Sequence, residues 1–257
     1  MYNKITVAPH ILPVTRVSGD PGRISAIQPT WLGNDTMIFL GDISGYYNPW
    51  ITKLTRPHQD VAFSVLTAAL LKNKVNQDFS DPSWWLGASS MAVLDPNSIL
   101  FSASKDGQHI LYIVTVDGKL LEVECPYVNI LRMRLTGTRR VAFFGTTDRE
   151  AKALINCTFD ESFKPSYSVV GPKVATDTKL SDIISVPQHI SLNIHPPSAS
   201  ESRTIHVLFF PPHNPEFNGP PNERPCALVN IHGGPNSSAY KGLSMEKQYF
   251  TSRGWAW

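Results

Sequence analysis

A His-Gly-Gly-Pro turn, residues 232–235, follows the apolar run "CALVNI" (226–231), which reads as a buried strand, and the residue types of the turn suit one kind of chemistry. Negative charge developing on a carbonyl oxygen during acyl transfer is stabilised by backbone N–H groups about 3 Å away, and a Cβ beside them blocks the approach. Gly233 and Gly234 leave the backbone bare, while Pro235 fixes the exit of the turn and removes a competing donor. A tight turn that needs glycine for its geometry alone explains the same residues without any chemistry.

Acyl transfer also needs an activated nucleophile, and the G-x-S-x-G elbow that presents a serine in such folds occurs nowhere in the chain. Gly242-Leu-Ser244-Met-Glu246 comes nearest, but Glu246 stands in place of the second glycine and Ser244 suits a helix N-cap. His189, His195, His206 and His213 cluster in sequence without paired-ligand spacing, so no metal is expected. No phosphate loop or dinucleotide fingerprint is present, and no cofactor is expected. The tryptophans at 31, 50, 84, 85, 255 and 257 sit mainly in strand contexts and read as core or blade packing. Asp42, Asp106 and Asp148 fall at turns, where Asp serves local hydrogen bonding.

The elements that must position these residues come in two textures. Up to about residue 170, short apolar runs alternate with polar turns. Stretches 36–54, 98–123 and 139–159 share a strand–turn–strand layout. Asp106-Gly107 and Asp117-Gly118 are hairpin signals, because a type I′ turn needs positive φ at both central residues. Phe101 and Phe143 hold matching places 42 residues apart, within the span of a β-propeller blade. Phe39 lies 62 residues before Phe101, so an insertion is expected there, with 61–75 as a helical stretch inside it. The pattern favours about three blades of a propeller, and a β-sandwich with similar hairpins is the alternative.

Residues 171–190 read as a connector. From 191 onward the texture is α/β: a hairpin, a Pro-rich excursion (211–225), the strand "CALVNI", a helix over 244–254 ended by Gly254, and a final strand begun by "WAW". In the α/β-hydrolase fold, the loop after the third strand donates an oxyanion N–H, and glycine-rich sequences of this type build it.

The 257 residues can bury a substantial core, and a net charge of +2 with no Lys/Arg run longer than Arg139–Arg140 argues against a nucleic-acid or membrane-surface partner. Cys125, Cys157 and Cys226 are too scattered for a disulfide framework, which favours a reducing, cytoplasmic setting. Asn34, Asn156 and Asn236 begin N-x-S/T triplets that matter only on a secreted chain. No apolar run approaches the roughly 18 residues of a membrane span.

Residues 208–240 and 248–257 resemble the start of the hydrolase domain in the prolyl oligopeptidase family of serine peptidases, in its acylaminoacyl-peptidase and dipeptidyl-peptidase-like branch. Stretches 28–50 and 81–114 resemble blades of that family's propeller. The resemblance implies a partial propeller over 1–170, then the connector, then the N-terminal part of an α/β-hydrolase domain over 191–257. It implies Gly234 as the backbone oxyanion donor, Gly233 as the residue that permits the turn, and His232 and Pro235 as loop support. It also implies peptide substrates, short or N-terminally modified, and a homo-oligomer as one state of the parent enzyme. A turn aspartate could read a substrate's amino terminus. Ser237 and Ser238 fall too early in this topology to be the nucleophile, so the serine, aspartate and histidine of a triad are expected beyond residue 257 and further blades before residue 1. A non-catalytic, propeller-based interaction protein or regulatory short isoform is the alternative.

Overall fold

Period-two alternation of apolar residues, punctuated by Asp, Gly and Asn, folds residues 26–169 into three four-stranded antiparallel sheets. The computed structural model describes residues 15–19, 24–55, 64–172, 178–195, 201–234 and 236–257. The first sheet is a meander of β1 (Ala26–Trp31), β2 (Thr36–Gly41), β3 (Asn48–Thr55) and β4 (Ser64–Ala69). The second comprises β5 (Met91–Asp95), β6 (Ser98–Lys105), β7 (Gln108–Thr115) and β8 (Leu120–Val123). The third comprises β9 (Asn129–Gly137), β10 (Arg140–Thr146), β11 (Ala153–Phe159) and β12 (Pro165–Val169).

The sheets stack in series, and the middle one is buried on both faces. Ile99, Phe101 and Ala103 of β6, with Tyr112 and Val114 of β7, pack toward Ile38 and Leu40 of the first sheet. Leu100, Leu111 and Ile113 pack toward Val141, Phe143 and Ile155 of the third. A continuous apolar run such as "SILFSA" is what a strand covered on both sides requires. Consecutive sheets that each cover the next are arranged as propeller blades rather than as the two layers of a sandwich. Phe39, Phe101 and Phe143 all lie on the second strand of their blades and are all buried, opposite Trp50, Tyr112 and Ile155 on the third strands.

The turns follow local chemistry, with one exception. Asp106 (φ 51°) and Gly107 (φ 75°) are both left-handed, as a type I′ turn demands. At the second Asp-Gly only Gly118 is left-handed (φ 81°), and Asp117 instead accepts a hydrogen bond from the Thr115 hydroxyl.

The stretch expected to be helical, 61–75, is corrected. Residues 61–63 lie outside the described residues, and 64–69 form β4, paired along its length with β3. Pairing satisfies its backbone groups, and the Thr52 and Thr67 hydroxyls bond across the two strands at 2.9 Å, so tertiary context overrides helix propensity. The insertion in the first interval lies instead between β4 and β5, at 70–90. It is threaded back through the blades by Ser104 N–H to the Asp78 carbonyl and Tyr47 N–H to the Asp78 carboxylate, each 2.8 Å.

After a short helix, α1 (Thr178–Asp182), strands β13 (Gln188–Ile194) and β14 (Arg203–Phe209) form the expected hairpin. Helix α2 (Met245–Thr251) starts after Ser244, whose side chain makes no capping bond, and stops before Gly254 (φ 87°). The buried Gln248 side chain mimics a peptide group. Its oxygen accepts from Ser185 N–H at 2.7 Å and its nitrogen donates to the Ser185 carbonyl at 3.2 Å, which fastens α2 to the chain after α1.

An α/β-hydrolase sheet is not present among the described residues. "CALVNI" makes one parallel bridge, Ala227 to Ala256, with Ala256 N–H to the Cys226 carbonyl and Leu228 N–H to the Ala256 carbonyl at 2.8 Å each. Val229 and Ile231, each 85% exposed, are uncovered, which corrects the expectation of a buried strand. A parallel strand is buried only between neighbours and under helices, and one bridge supplies neither.

Candidate functional site

The chain that follows the glycine-rich turn lines a cavity whose other walls come from the propeller. Gly233 and Gly234 are exposed, Gly234 is left-handed at φ 65°, and no atom lies within 4 Å of a Cβ built on either residue. His232 is exposed as well, and Pro235 lies outside the described residues. Immediately beyond, Asn236, Ser237 and Ser238 form one wall of a cavity of about 270 Å³. Trp84 and Trp85 of the 70–90 insertion and Arg132 of β9 form the others.

Hydrogen bonds dock the chain after the turn onto the propeller. Lys241 N–H donates to the Gly107 carbonyl (2.8 Å) in the β6–β7 turn, and Leu243 N–H donates to the Thr147 carbonyl (2.9 Å) beyond β10. The Tyr240 hydroxyl donates a short hydrogen bond to the Asp81 carboxylate. Asp81 is also held by His109 of β7, whose Nε2 lies 3.3 Å and 3.4 Å from the two carboxylate oxygens. The Ile130 N–H donates to His109 Nδ1 at 2.8 Å, so that nitrogen carries no proton. The buried imidazole turns its Nε2 toward Asp81. Asp81 thus links the insertion, the middle blade and the segment that carries the glycine turn.

Burial is the largest influence on the Asp81 carboxyl and acts to raise its pKa. The hydrogen bond and the electrostatic interaction with His109, and then the hydrogen bond from Tyr240, outweigh it, so the net result lies below the ordinary 3.8. Tyr240 moves the other way: burial, then the Asp81 charge, push its pKa well above 10.0, and it stays a donor at all ordinary pH values. A carboxylate with a depressed folded pKa stabilises the fold above its unfolded value and loses that contribution as pH falls through the folded one. Tyr240→Phe is therefore expected to cost about 1–2 kcal/mol near neutrality. The difference from wild type should shrink once the pH drops below the ordinary 3.8. Urea unfolding at both pH values measures this; a gap of constant size would show that Tyr240 contributes packing and not a bond to a charged group.

Arg132 has an unusual backbone for its type, φ 56°, at a bulge where β9 shifts register against β10. Gln28, eleven residues before Phe39 as Arg132 is before Phe143, is also left-handed at φ 52°. The first strands of two blades therefore carry the same kink at the same place. Left-handed non-glycine residues cost free energy and cluster at sites where a side chain is aimed.

The sequence reading missed Asp81, His109, Tyr240 and Arg132, which are spread over 160 residues and share no spacing. It also placed Trp84 and Trp85 in packing roles, whereas they are 66% and 74% exposed and line the cavity. The Asp42 carboxylate accepts from Ser25 N–H at 2.8 Å, a bond to a residue seventeen positions away and not the local turn bond expected of it. Asp106 lies 3.8 Å from His189, whose ring stacks on His206 across the β13–β14 hairpin. Among the described residues, no histidine lines the cavity beside Ser237 and Ser238. Burial pushes the Cys157 thiol up to about 12 and raises that of Cys125, so neither offers a thiolate near neutral pH.

No protein-family model and no curated protein sequence matches the chain. Solved structures do. A puromycin-hydrolysing peptidase from Mycobacterium tuberculosis matches 91% of this chain with TM-score 0.75 and 23% identity. Puromycin hydrolase (TM-score 0.72, 23% identity) and a serine-to-alanine variant of puromycin hydrolase complexed with PGG (TM-score 0.72, 24% identity) also match over 91% of the chain. These 91% of the chain correspond to 33%, 32% and 33% of the three structures, so the chain spans about a third of their length. The neighbours are peptidases of the prolyl oligopeptidase family, the family that the sequence resembles. In fold, then, this chain is similar to about one third of the length of these peptidases.

Proposed function

We propose that the chain is part of a serine peptidase of the prolyl oligopeptidase family. In this reading the parent hydrolyses short or N-terminally modified peptides through an acyl-enzyme. Blades occupy 1–170, a connector 171–190, and the beginning of the catalytic domain 191–257. One observation supports the reading: Asn236, Ser237 and Ser238, which follow the bare Gly233–Gly234 backbone in the chain, line a cavity together with propeller residues, so the segment that leaves the glycine turn meets the blades at a site where a peptide could be held. Gly234 N–H holds the oxyanion, Gly233 allows the turn, and His232 and Pro235 support the loop. The serine nucleophile, its histidine and its aspartate come from sequence beyond residue 257, so this chain alone has no turnover. Three thiols free of disulfides among the described residues support a cytoplasmic setting.

Fluorophosphonate labelling tests this. The 257-residue chain is expected to remain unlabelled, and a version extended through a G-x-S-x-G elbow to label at that serine. Labelling of the short chain, or none in the extended protein, would overturn the reading, and the second result would favour the non-catalytic interaction protein.

A further inference from the structure

The cavity holds one charged group with no partner. Arg132 makes no ion pair or hydrogen bond within the described residues, although Arg134 two positions on and Arg139 at the next turn both do. Asp81, the only carboxylate among the described residues of the cavity wall, is already held by His109 and Tyr240. The uncompensated charge in the cavity is therefore positive. Arginine presents a planar fork of donors that suits a carboxylate.

The apolar wall is equally specific. Trp84 and Trp85 are held out in the open by the loop that carries them. Trp84 N–H donates to the Pro82 carbonyl (2.9 Å), Ala88 N–H to the Trp85 carbonyl (3.2 Å), and Met133 N–H to the Ser89 carbonyl (3.0 Å). The Arg134 guanidinium also bonds the Gly87 carbonyl. Indoles fixed in solvent by backbone bonds offer a ready face to another ring or a large apolar side chain.

We propose that this cavity recognises short peptides that carry a free carboxylate next to a large apolar or aromatic side chain. Arg132 binds the carboxylate and Trp84 and Trp85 receive the side chain. The proposal rests on the peptidase reading for its meaning, since it names that enzyme's substrate class, but its test does not require turnover.

Calorimetric titration of the 257-residue chain with acetyl-Ala-Phe, and with the same dipeptide as its carboxamide, separates the two. The free acid is expected to bind about tenfold or more tightly than the amide. R132Q should bring the acid down to the amide's affinity and leave the amide unchanged, and R132K should keep part of the preference. The W84A/W85A double variant should weaken both ligands and preserve their ratio. Equal affinity of acid and amide in the wild-type chain, no binding of either, or a ratio untouched by R132Q would overturn the proposal. The wild-type comparison decides even if a variant fails to fold. Peptidase failure reads out differently, as an extended protein that takes no fluorophosphonate while the acid preference persists.

Discussion

Replacing Gly234 by valine in the extended peptidase is expected to lower kcat about 10²–10³-fold, the usual consequence of losing one oxyanion donor, with a much smaller change in KM. Two physical terms combine. Gly234 stands at φ 65°, a region that a β-branched residue enters only at a cost. The space where its Cβ would go is open, with no atom within 4 Å, and in the proposed role that opening is the approach for a substrate oxygen. Gly219, outside the turn, has the same open surroundings without a left-handed φ, so Gly219→Val is the control and should leave kcat unchanged. Steady-state kinetics with a chromogenic aminoacyl substrate measures both variants. A purified Gly234→Val enzyme with near-normal kcat removes this residue from the site.

Phe101→Ala should destabilise the chain by about 3–5 kcal/mol, the range for an aromatic side chain deleted from a packed core. Phe101 is fully buried on the most enclosed blade and meets Phe79 edge to face at 5.8 Å. Phe79 belongs to the 70–90 insertion, so the cavity left by the substitution loosens the join between two blades as well as a strand. Leu121→Ala, on the exposed outer strand β8, should change stability by less than about 0.5 kcal/mol. Urea unfolding of the two variants gives the comparison. A loss at Phe101 as small as that at Leu121 would mean that the blades do not pack as one core.

The hairpins were legible because their signals are local. Asp106-Gly107 dictates a turn by its own φ preferences, and alternation in "QHILYIVT" dictates a strand by its own period. The 42-residue spacing of Phe101 and Phe143 was legible because each blade repeats the same burial problem. The outer strand β4 was not legible. Its residues Val65, Leu66, Ala68 and Ala69 suit a helix as well as a strand, and only the pairing with β3 decides between them. "CALVNI" misled in the opposite direction, because apolar composition describes what a segment can bury and not what is there to cover it.

The candidate site divides in the same way. By itself the sequence determined the bare Gly233–Gly234 backbone, since the absence of a side chain needs no partner to take effect. It also determined the order of the two textures, blades before the glycine turn. Only the tertiary structure decided that Asp81, His109 and Tyr240 meet, that Arg132 stands unpaired at a bulge, and that Trp84 and Trp85 face a cavity instead of a core. A hydrogen bond or an unpaired charge is a property of two places in space, and the separation of 159 residues between Asp81 and Tyr240 carries no trace of it in the sequence.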